Sequence, residues 1–517
     1  MKRRELCLGC PGTGKTTKLL REIDDLRKQG FALEEIGFVS FTRRAIQEAR
    51  ERGALVFGCA QDDLPWFRTL HSSFARALGM SNWLKRADQR KFQARFGYRL
   101  TDGGLKDDDG VGWATDDDRL MAADSYARLR GCSLDEAAAK NGAHSEHLRA
   151  FSQRYRTYRR EEGKSDFTDV LEEAVRRRVC LPVRALIVDE AQDLCPLQIE
   201  ALRPTFEAAE VVIVAGDDDQ AIFAFQGANP AWIIALSRDP TWRTEVLSRS
   251  WRVPVRAHAL AQRIIVRCQD RASKSYAPRD AEGVVLQEVD EVGRMLGEIE
   301  GKSAYLTRTR AGTRQLAHDL FDRREVPYLV LKGYGPNPLG EEGAVEAVSA
   351  AWAVAHGEPI TRAALDALLA LVPVSGPLAL LSRGAKADVS RFLGPVVTAR
   401  DIDALGLGRL RDHARVARHC EVLLKLPPGY RAWFATMWQR YGCVPKPQIV
   451  LSTIHAAKGA EWPTVVVSPD HPKTVELSQT SSEGRDAEHR VAYVAVTRAK
   501  ERLIIARRRG KYGYAYP

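Results

Sequence analysis

Short runs of consecutive apolar residues recur along the chain, each followed by apolar positions spaced three and four apart. This pattern predicts buried strands alternating with amphipathic helices. Leu6–Leu8 is the first such run, before a helical spacing over Thr17–Leu26, and Ile36–Phe41 is the second, before a helix over Arg43–Arg50. Ala185–Val188 and Val211–Ala215 are two more strands of the same kind. The pattern then starts afresh with a helical stretch from Pro254 to Arg271, strand Gly283–Val289, a helix, strand Ser303–Thr307, helix Arg310–Asp322 and strand Tyr328–Leu331. It closes with strands Ile449–Ser452 and Thr464–Ser468, helix Asp486–Lys500 and strand Arg502–Ala506. Strands connected through helices pair in parallel, so the fold class is α/β.

Two stretches break the alternation. Residues 79–164 show helical periods, many charges and the acidic runs Asp107–Asp109 and Asp116–Asp118, which read as solvated loop. The sheet pattern resumes near Asp166–Asp169, and residues 338–446 are again helix-like and rich in Ala and Leu. The resulting partition is 1–78 and 165–243 for a first α/β lobe around a helical insertion (79–164), and 244–337 and 447–517 for a second lobe around another (338–446).

A chain of 517 residues, 44% hydrophobic and 28% charged, exceeds a single core. The formal charge of +11 suits a polyanionic partner. The 9 cysteines are scattered, and the Cys7/Cys10 pair falls inside the first strand and loop with no second pair to complete a metal site. No apolar run is long enough to cross a bilayer and none follows the basic Met1–Arg4 as in a signal peptide, so a cytoplasmic location is expected.

The clearest chemistry lies at Gly9–Thr16, GCPGTGKT. Gly12 and Gly14 let successive backbone N–H groups turn toward a polyphosphate at a helix N-terminus, with Lys15 on the terminal phosphates and Thr16 on Mg²⁺. The strand Ala185–Val188 delivers Asp189 and Glu190 together, one acid for the metal and one to take a proton from attacking water. The strand Val211–Ala215 ends in Gly216-Asp217-Asp218-Asp219-Gln220, and a glutamine there is placed to sense a terminal phosphate. Phe223 and Phe225 follow, for which stacking on bases competes with ordinary core burial. Phe41, Thr42 and Arg43 fall at a strand's carboxyl end, where ligands sit in open α/β sheets, whereas Thr69 and His71 open a helix and read first as an N-cap turn. The tail carries basic Arg507–Lys511 with Tyr512, Tyr514 and Tyr516, and a frayed, solvated end is the expectation.

In order, the strings GCPGTGKTT, FTRRA, TLHS, VDEAQD, GDDDQAIFAFQGA, SRSWR, TIHAAKGAEW and YVAVTRAK resemble those of superfamily 1A helicases of the UvrD, Rep and PcrA type. The resemblance implies two RecA-like lobes with helical insertions, binding ATP and Mg²⁺ between them. It implies ATP-driven 3′→5′ movement on single-stranded DNA and unwinding at single-strand/duplex junctions. Gly9, Cys10, Pro11, Gly12, Thr13, Gly14, Lys15, Thr16 and Thr17 would cradle the nucleotide, with Asp189 and Glu190 completing the hydrolytic site. Gln220, Arg252 and Arg498 would face the γ-phosphate, Glu461 the ribose, and Trp251 the adenine. Phe41, Thr42, Arg43, Thr69, His71, Phe223, Phe225, Arg308, Thr453 and His455 would meet the single strand.

The sequence departs from the family pattern in three places. The family's upstream glutamine segment has no counterpart before the first strand, Gln226 stands where an arginine is usual, and the second insertion is short. Gln226 keeps open an alternative in which ATP gates DNA binding or translocation without productive unwinding. A fused nuclease is not expected, since little chain follows the last string.

Overall fold

The computed structural model describes residues 2–101, 115–290, 301–331, 335–373, 395–405, 407–416 and 419–517. The expected helix between Val289 and Ser303 and the run Asp107–Asp109 lie outside the described residues.

Six strands form the first sheet: β1 (Arg3–Gly9), β2 (Ile36–Ser40), β3 (Phe67–Thr69), β4 (Ala185–Asp189), β5 (Val211–Gly216) and β6 (Arg243–Leu247). Their order is β3-β2-β4-β5-β1-β6, and every pairing is parallel. Alternate residues feed two different cores. Phe38, Ile187, Ile213 and Cys7 pack under the helices Lys15–Lys28 and Arg43–Phe57, while Val39, Val188, Val214, Leu6 and Leu8 meet Leu70–Leu78, Phe167–Arg176 and Pro196–Ala208. Burial on both faces is why these strands read as unbroken apolar runs, each Val, Leu or Ile contributing about 1.5–3 kcal/mol.

After β6, strand β7 (Arg249–Pro254) pairs in parallel with β8 (Ala277–Arg279), with the helix Val255–Ile265 between them. The remaining strands are β9 (Val284–Val289), β10 (Ser303–Thr307), β11 (Tyr328–Val330), the short antiparallel pair β12 (Ile360–Thr361) and β13 (Val396–Val397), then β14 (Ile449–Thr453), β15 (Trp462–Val467) and β16 (Ala499–Ala506). The second sheet runs β11-β14-β10-β15-β16-β9, again all parallel. One face packs against the helices Val255–Ile265 and Ser482–Val496, the other against helices that include Ala344–His356 and Pro428–Tyr441.

Five expectations need correction. Asp166–Asp169 is no strand: the Asp166 carboxylate accepts from the Asp169 N–H at 2.8 Å and the Asp169 carboxylate from the Asp166 N–H at 2.8 Å, a capping box that starts the helix Phe167–Arg176. Asp116–Asp118 is the first turn of the helix Asp116–Arg130, where acids favour the positive end, and buried Asp118 accepts from the Thr101 N–H at 2.9 Å. The helix expected over Pro254–Arg271 starts at Val255, since Pro254 closes the strand β7, and ends at Ile265. The 338–446 stretch includes the β12/β13 ladder. The C-terminal tail is docked: Tyr514 meets His489 at 2.8 Å, and the carbonyls of Ala515 and Pro517 accept from Arg267 and Arg263.

Candidate nucleotide and nucleic-acid site

Parallel pairing brings all the strand carboxyl ends to one edge, and β4, β5 and β1 are consecutive there. Three loops therefore converge: Asp189-Glu190 after β4, Asp217–Gln220 after β5, and Gly9–Gly14 after β1.

The β1 loop is wound tightly. Gly14 (φ 84°) and Gly12 (φ 73°) occupy the left-handed region, and a Cβ on Gly12 would lie 2.3 Å from the Cβ of Arg252. Thr13 Oγ1 donates to the Cys10 carbonyl at 2.8 Å. The helix Lys15–Lys28 has no acidic residue in its first turn and no side-chain cap, so its leading N–H groups are available to an anion. Lys15 Nζ donates to the Gly9 carbonyl at 2.9 Å and stands 3.9 Å from Glu190 Oε1. Burial opposes its charge, but Glu190, Asp217 and Asp189 hold its pKa above the usual lysine value.

Glu190 turns into the left-handed region at φ 54°, a conformation costing about 1–2 kcal/mol for a residue with a Cβ. Its N–H donates to Asp189 Oδ1 at 2.9 Å, and Gln192 Nε2 donates to its Oε2 at 2.5 Å. Gln192 Oε1 in turn accepts from the Asp217 N–H at 2.9 Å, tying the β4 loop to the β5 loop. Burial, reinforced by the Glu190 charge, pushes the Asp189 carboxyl up to about 7. Burial also acts upward on Glu190, but Lys15 and Lys458 outweigh it and leave this carboxylate below its ordinary value.

The second half of the chain reaches the same edge through two segments. From β7, the Trp251 N–H donates to the Gly12 carbonyl at 2.8 Å and Ser250 Oγ to the Pro11 carbonyl at 2.7 Å. Arg252 pairs with Glu461, which also accepts from Lys500 at 2.9 Å. The Trp251 ring is 66% exposed, with the Arg249 guanidinium 5.1 Å above it. After the helix Ser482–Val496, the buried Arg498 sends Nη2 to Gln220 Oε1 at 3.1 Å. Burial, aided by Arg252, pulls its guanidinium down to about 9. Gln220 Nε2 donates to Asp217 Oδ2 at 2.7 Å.

An aromatic cluster adjoins this edge. Phe41 and Phe223 stack at 6.0 Å, Phe223 and Phe225 are 6.1 Å apart, and His455 sits 5.4 Å from Phe225. Phe41, Phe223 and Phe225 are half-buried, so each residue keeps some exposed surface. The expected hydroxyls turn out to be caps: Thr42 accepts from the Ala45 N–H, Thr69 from Ser72, and fully buried Thr453 from Ala456. Arg43 is exposed. Arg308 is committed to Glu488 by contacts of 2.9 and 2.7 Å. His71 lies edge-on to Phe167 at 6.0 Å.

Sequence reasoning passed over two side chains. Lys458 sits within TIHAAKGAEW without a role, yet its Nζ donates to both oxygens of Asp193, at 2.7 and 2.6 Å, and to the Gln220 carbonyl at 2.8 Å, 5.0 Å over the Phe223 ring. Phe167, read as part of a strand, is 60% exposed between His71 and Trp83, whose ring is 5.4 Å away. A cation at a glycine-flanked loop and an aromatic just inside a helix N-terminus were the available signals.

Comparison with known proteins agrees with this layout. The model of the UvrD/REP helicase N-terminal domain matches residues 1–241, and that of the UvrD-like helicase C-terminal domain matches residues 440–509. The chain is 24% identical to the putative ATP-dependent DNA helicase YjcD of Bacillus subtilis, over 98% of this chain and 77% of that one. It is 25% identical to the ATP-dependent DNA helicase UvrD2 of Mycobacterium tuberculosis, over 96% and 75% respectively. With the ATP-dependent DNA helicase Rep of Escherichia coli it shares 27% identity over 48% of this chain and 39% of that protein.

Proposed function

The chain belongs to the UvrD/Rep family of ATP-dependent DNA helicases, and from that premise we propose that it is a motor that hydrolyses ATP between its two sheets and moves 3′→5′ along single-stranded DNA, opening duplex at junctions. The observation that carries this reading is the hydrogen bond from Arg498 to Gln220, which joins a second-sheet cation to a first-sheet amide on the edge where Lys15 and Glu190 stand.

In this reading the β1 loop and Lys15 bind the triphosphate, and Trp251 offers an open face to the base. Glu190, kept ionised by Lys15 and Lys458, takes the proton of the attacking water. Arg252 and Arg498 stabilise charge that develops on the transferred phosphoryl group. The donor set fits a hard cation: the Thr16 hydroxyl, in the first turn of the helix Lys15–Lys28, and the Asp189 carboxyl, at the end of β4, are oxygen ligands of the kind Mg²⁺ takes. Bound there, Mg²⁺ would neutralise phosphate charge. Phe41, Phe223, Phe225 and His455 stack on successive bases, with Phe167 and His71 extending the track. Residues 79–164 and 338–446 act as insertions in the two lobes.

A strand-displacement assay on 3′-tailed and 5′-tailed duplexes, with ATP or a non-hydrolysable analogue, tests the proposal. Displacement of the 3′-tailed substrate alone, and with ATP alone, is expected. ATP turnover on single strands without displacement of either substrate would favour a translocase that does not unwind, the alternative raised by Gln226.

A further inference from the structure

The loop Asp217–Gln220 is gripped from beneath by a segment to which the proposed reaction gives no task. Residues 267–276 leave the helix Val255–Ile265 and run to β8, carrying Arg271 and Lys274 against the loop. The Lys274 side chain has no exposed surface. Its ammonium lies 3.3 Å from Asp217 Oδ1 and 3.0 Å from Asp219 Oδ2, and pairs with Asp218 as well. Arg271 holds Asp219 at 3.1 and 2.7 Å, and the Ala272 N–H donates to Asp218 Oδ2 at 2.9 Å. Burial works against the lysine's charge, but the three carboxylates hold it well above the usual lysine range. A compact ammonium with three donors suits a point shared by three carboxylates better than a planar fork would.

What the clasp controls is the orientation of an amide. Asp217 pairs with the Lys274 ammonium and accepts from the Asp219 N–H at 3.3 Å and from Gln220 Nε2 at 2.7 Å. The last bond turns the nitrogen of Gln220 toward the carboxylate and its oxygen toward Arg498, at 3.1 Å. A flipped amide would set oxygen against carboxylate and NH₂ against guanidinium, two repulsions in a buried site. Asp217 imposes that choice only while its own carboxylate is held in place, and Lys274 holds it.

We propose that Lys274 is a positioning residue for ATP hydrolysis, acting through Asp217 to fix the Gln220 carboxamide with its oxygen toward Arg498. The inference rests on the reading of Gln220 and Arg498 as groups facing the terminal phosphate. Its consequence is that a segment of chain remote in sequence from the phosphate loop sets the chemical step.

The test is a double-mutant cycle on the full chain: wild type, Lys274→Met, Gln220→Ala and the double variant, each assayed for ATP turnover with oligodeoxythymidylate and for melting by circular dichroism. Lys274→Met is expected to lower kcat about ten-fold or more with KM for ATP within about three-fold, and to lower it no further in the Gln220→Ala background. Should Lys274→Met fail to fold, Lys274→Met with Asp218→Asn removes one buried charge of each sign and carries the same cycle with the same expectation. An unchanged kcat, or losses that multiply in the double variant, would overturn the proposal, because a cation that only holds the fold together acts independently of Gln220. A wild type without DNA-stimulated turnover would instead overturn the reading of the site itself, and this inference with it.

Discussion

Replacing Lys458 with methionine probes the link between the aromatic cluster and the nucleotide edge. The ammonium bonds both oxygens of Asp193 at 2.7 and 2.6 Å and the Gln220 carbonyl at 2.8 Å, and the two side chains are only 10% and 2% exposed. Breaking a buried ion pair costs about 3–5 kcal/mol, and stranding a buried carbonyl adds about 1–3 kcal/mol. Protonation limits this loss. Even with the lysine present, burial pushes the Asp193 carboxyl up to about 6, against the pull of Lys458. Without the cation its pKa moves higher still, so Asp193 takes up a proton near neutrality and the net cost settles at about 3 kcal/mol. The sign follows from linkage: a carboxyl with a raised folded-state pKa binds its proton more tightly in the native state, so its contribution to stability falls as pH rises toward that value. The deficit of Lys458→Met should therefore be larger at pH 8 than at pH 6, by about 1–2 kcal/mol. Denaturant melts at the two pH values measure this, and Lys458→Met with Asp193→Asn should recover most of the stability. ATP turnover with and without oligodeoxythymidylate should show lost DNA stimulation in both variants, with unstimulated turnover lowered but still measurable, since Lys15 continues to hold Glu190 ionised. A deficit below about 1 kcal/mol at both pH values, or undiminished stimulation, would refute the argument.

Lys15→Ala is expected to abolish ATP turnover while single-strand affinity by fluorescence anisotropy is retained; residual turnover would move the phosphate site elsewhere. Phe225→Ala should weaken oligodeoxythymidylate binding by about 1–3 kcal/mol, and an unchanged affinity would assign the ring to the core. Trp251→Ala should raise KM for ATP about ten-fold with little change in kcat if the exposed indole stacks on adenine, whereas equal KM values would exclude that contact. Burial, against the weaker pull of Asp166, brings His71 down to about 4, so the native state resists a proton that the unfolded chain accepts below its ordinary value. Wild-type stability should accordingly fall relative to His71→Phe as pH drops from about 6.5 to 4, and parallel melting profiles would contradict the assignment.

The parts of the molecule legible in the sequence were those fixed by local chemistry. The strands around Ile187 and Ile213 are buried on both faces, so unbroken apolar character marks them, and the glycines at 12 and 14 announce a turn that other residues adopt at a cost. Acidic positions were harder, because the same carboxylate solvates a loop or caps a helix according to what lies three residues away. Asp166 is a cap of that kind, where a strand is expected, and Asp116–Asp118, expected as loop, form the first turn of a helix that the Thr115 hydroxyl caps. Strand β7 escaped because Arg-Ser-Trp-Arg lacks an apolar run and its one partner, β8, lies beyond an intervening helix. Pairings such as Lys458 with Asp193, separated by 265 positions, exist only once both sheets have formed.

Gln220 shows why such pairings matter more than the strings themselves. Its side-chain oxygen meets Arg498, its side-chain nitrogen meets Asp217, and its backbone carbonyl meets Lys458, which stands over the Phe223 ring. These contacts come from different segments of the chain, with Lys458 shortly before β15 and Arg498 immediately before β16. A shift of the second sheet that lengthened the Arg498 bond would therefore act on the Lys458 bond too, since both cations extend from the ends of neighbouring, hydrogen-bonded strands or the loops that join them. Packed elements of this kind are displaced together rather than bent singly. The amide proposed to face the terminal phosphate and the ring proposed to face a base are thus joined through one residue, and loss of Lys458 should separate the two activities without abolishing either site.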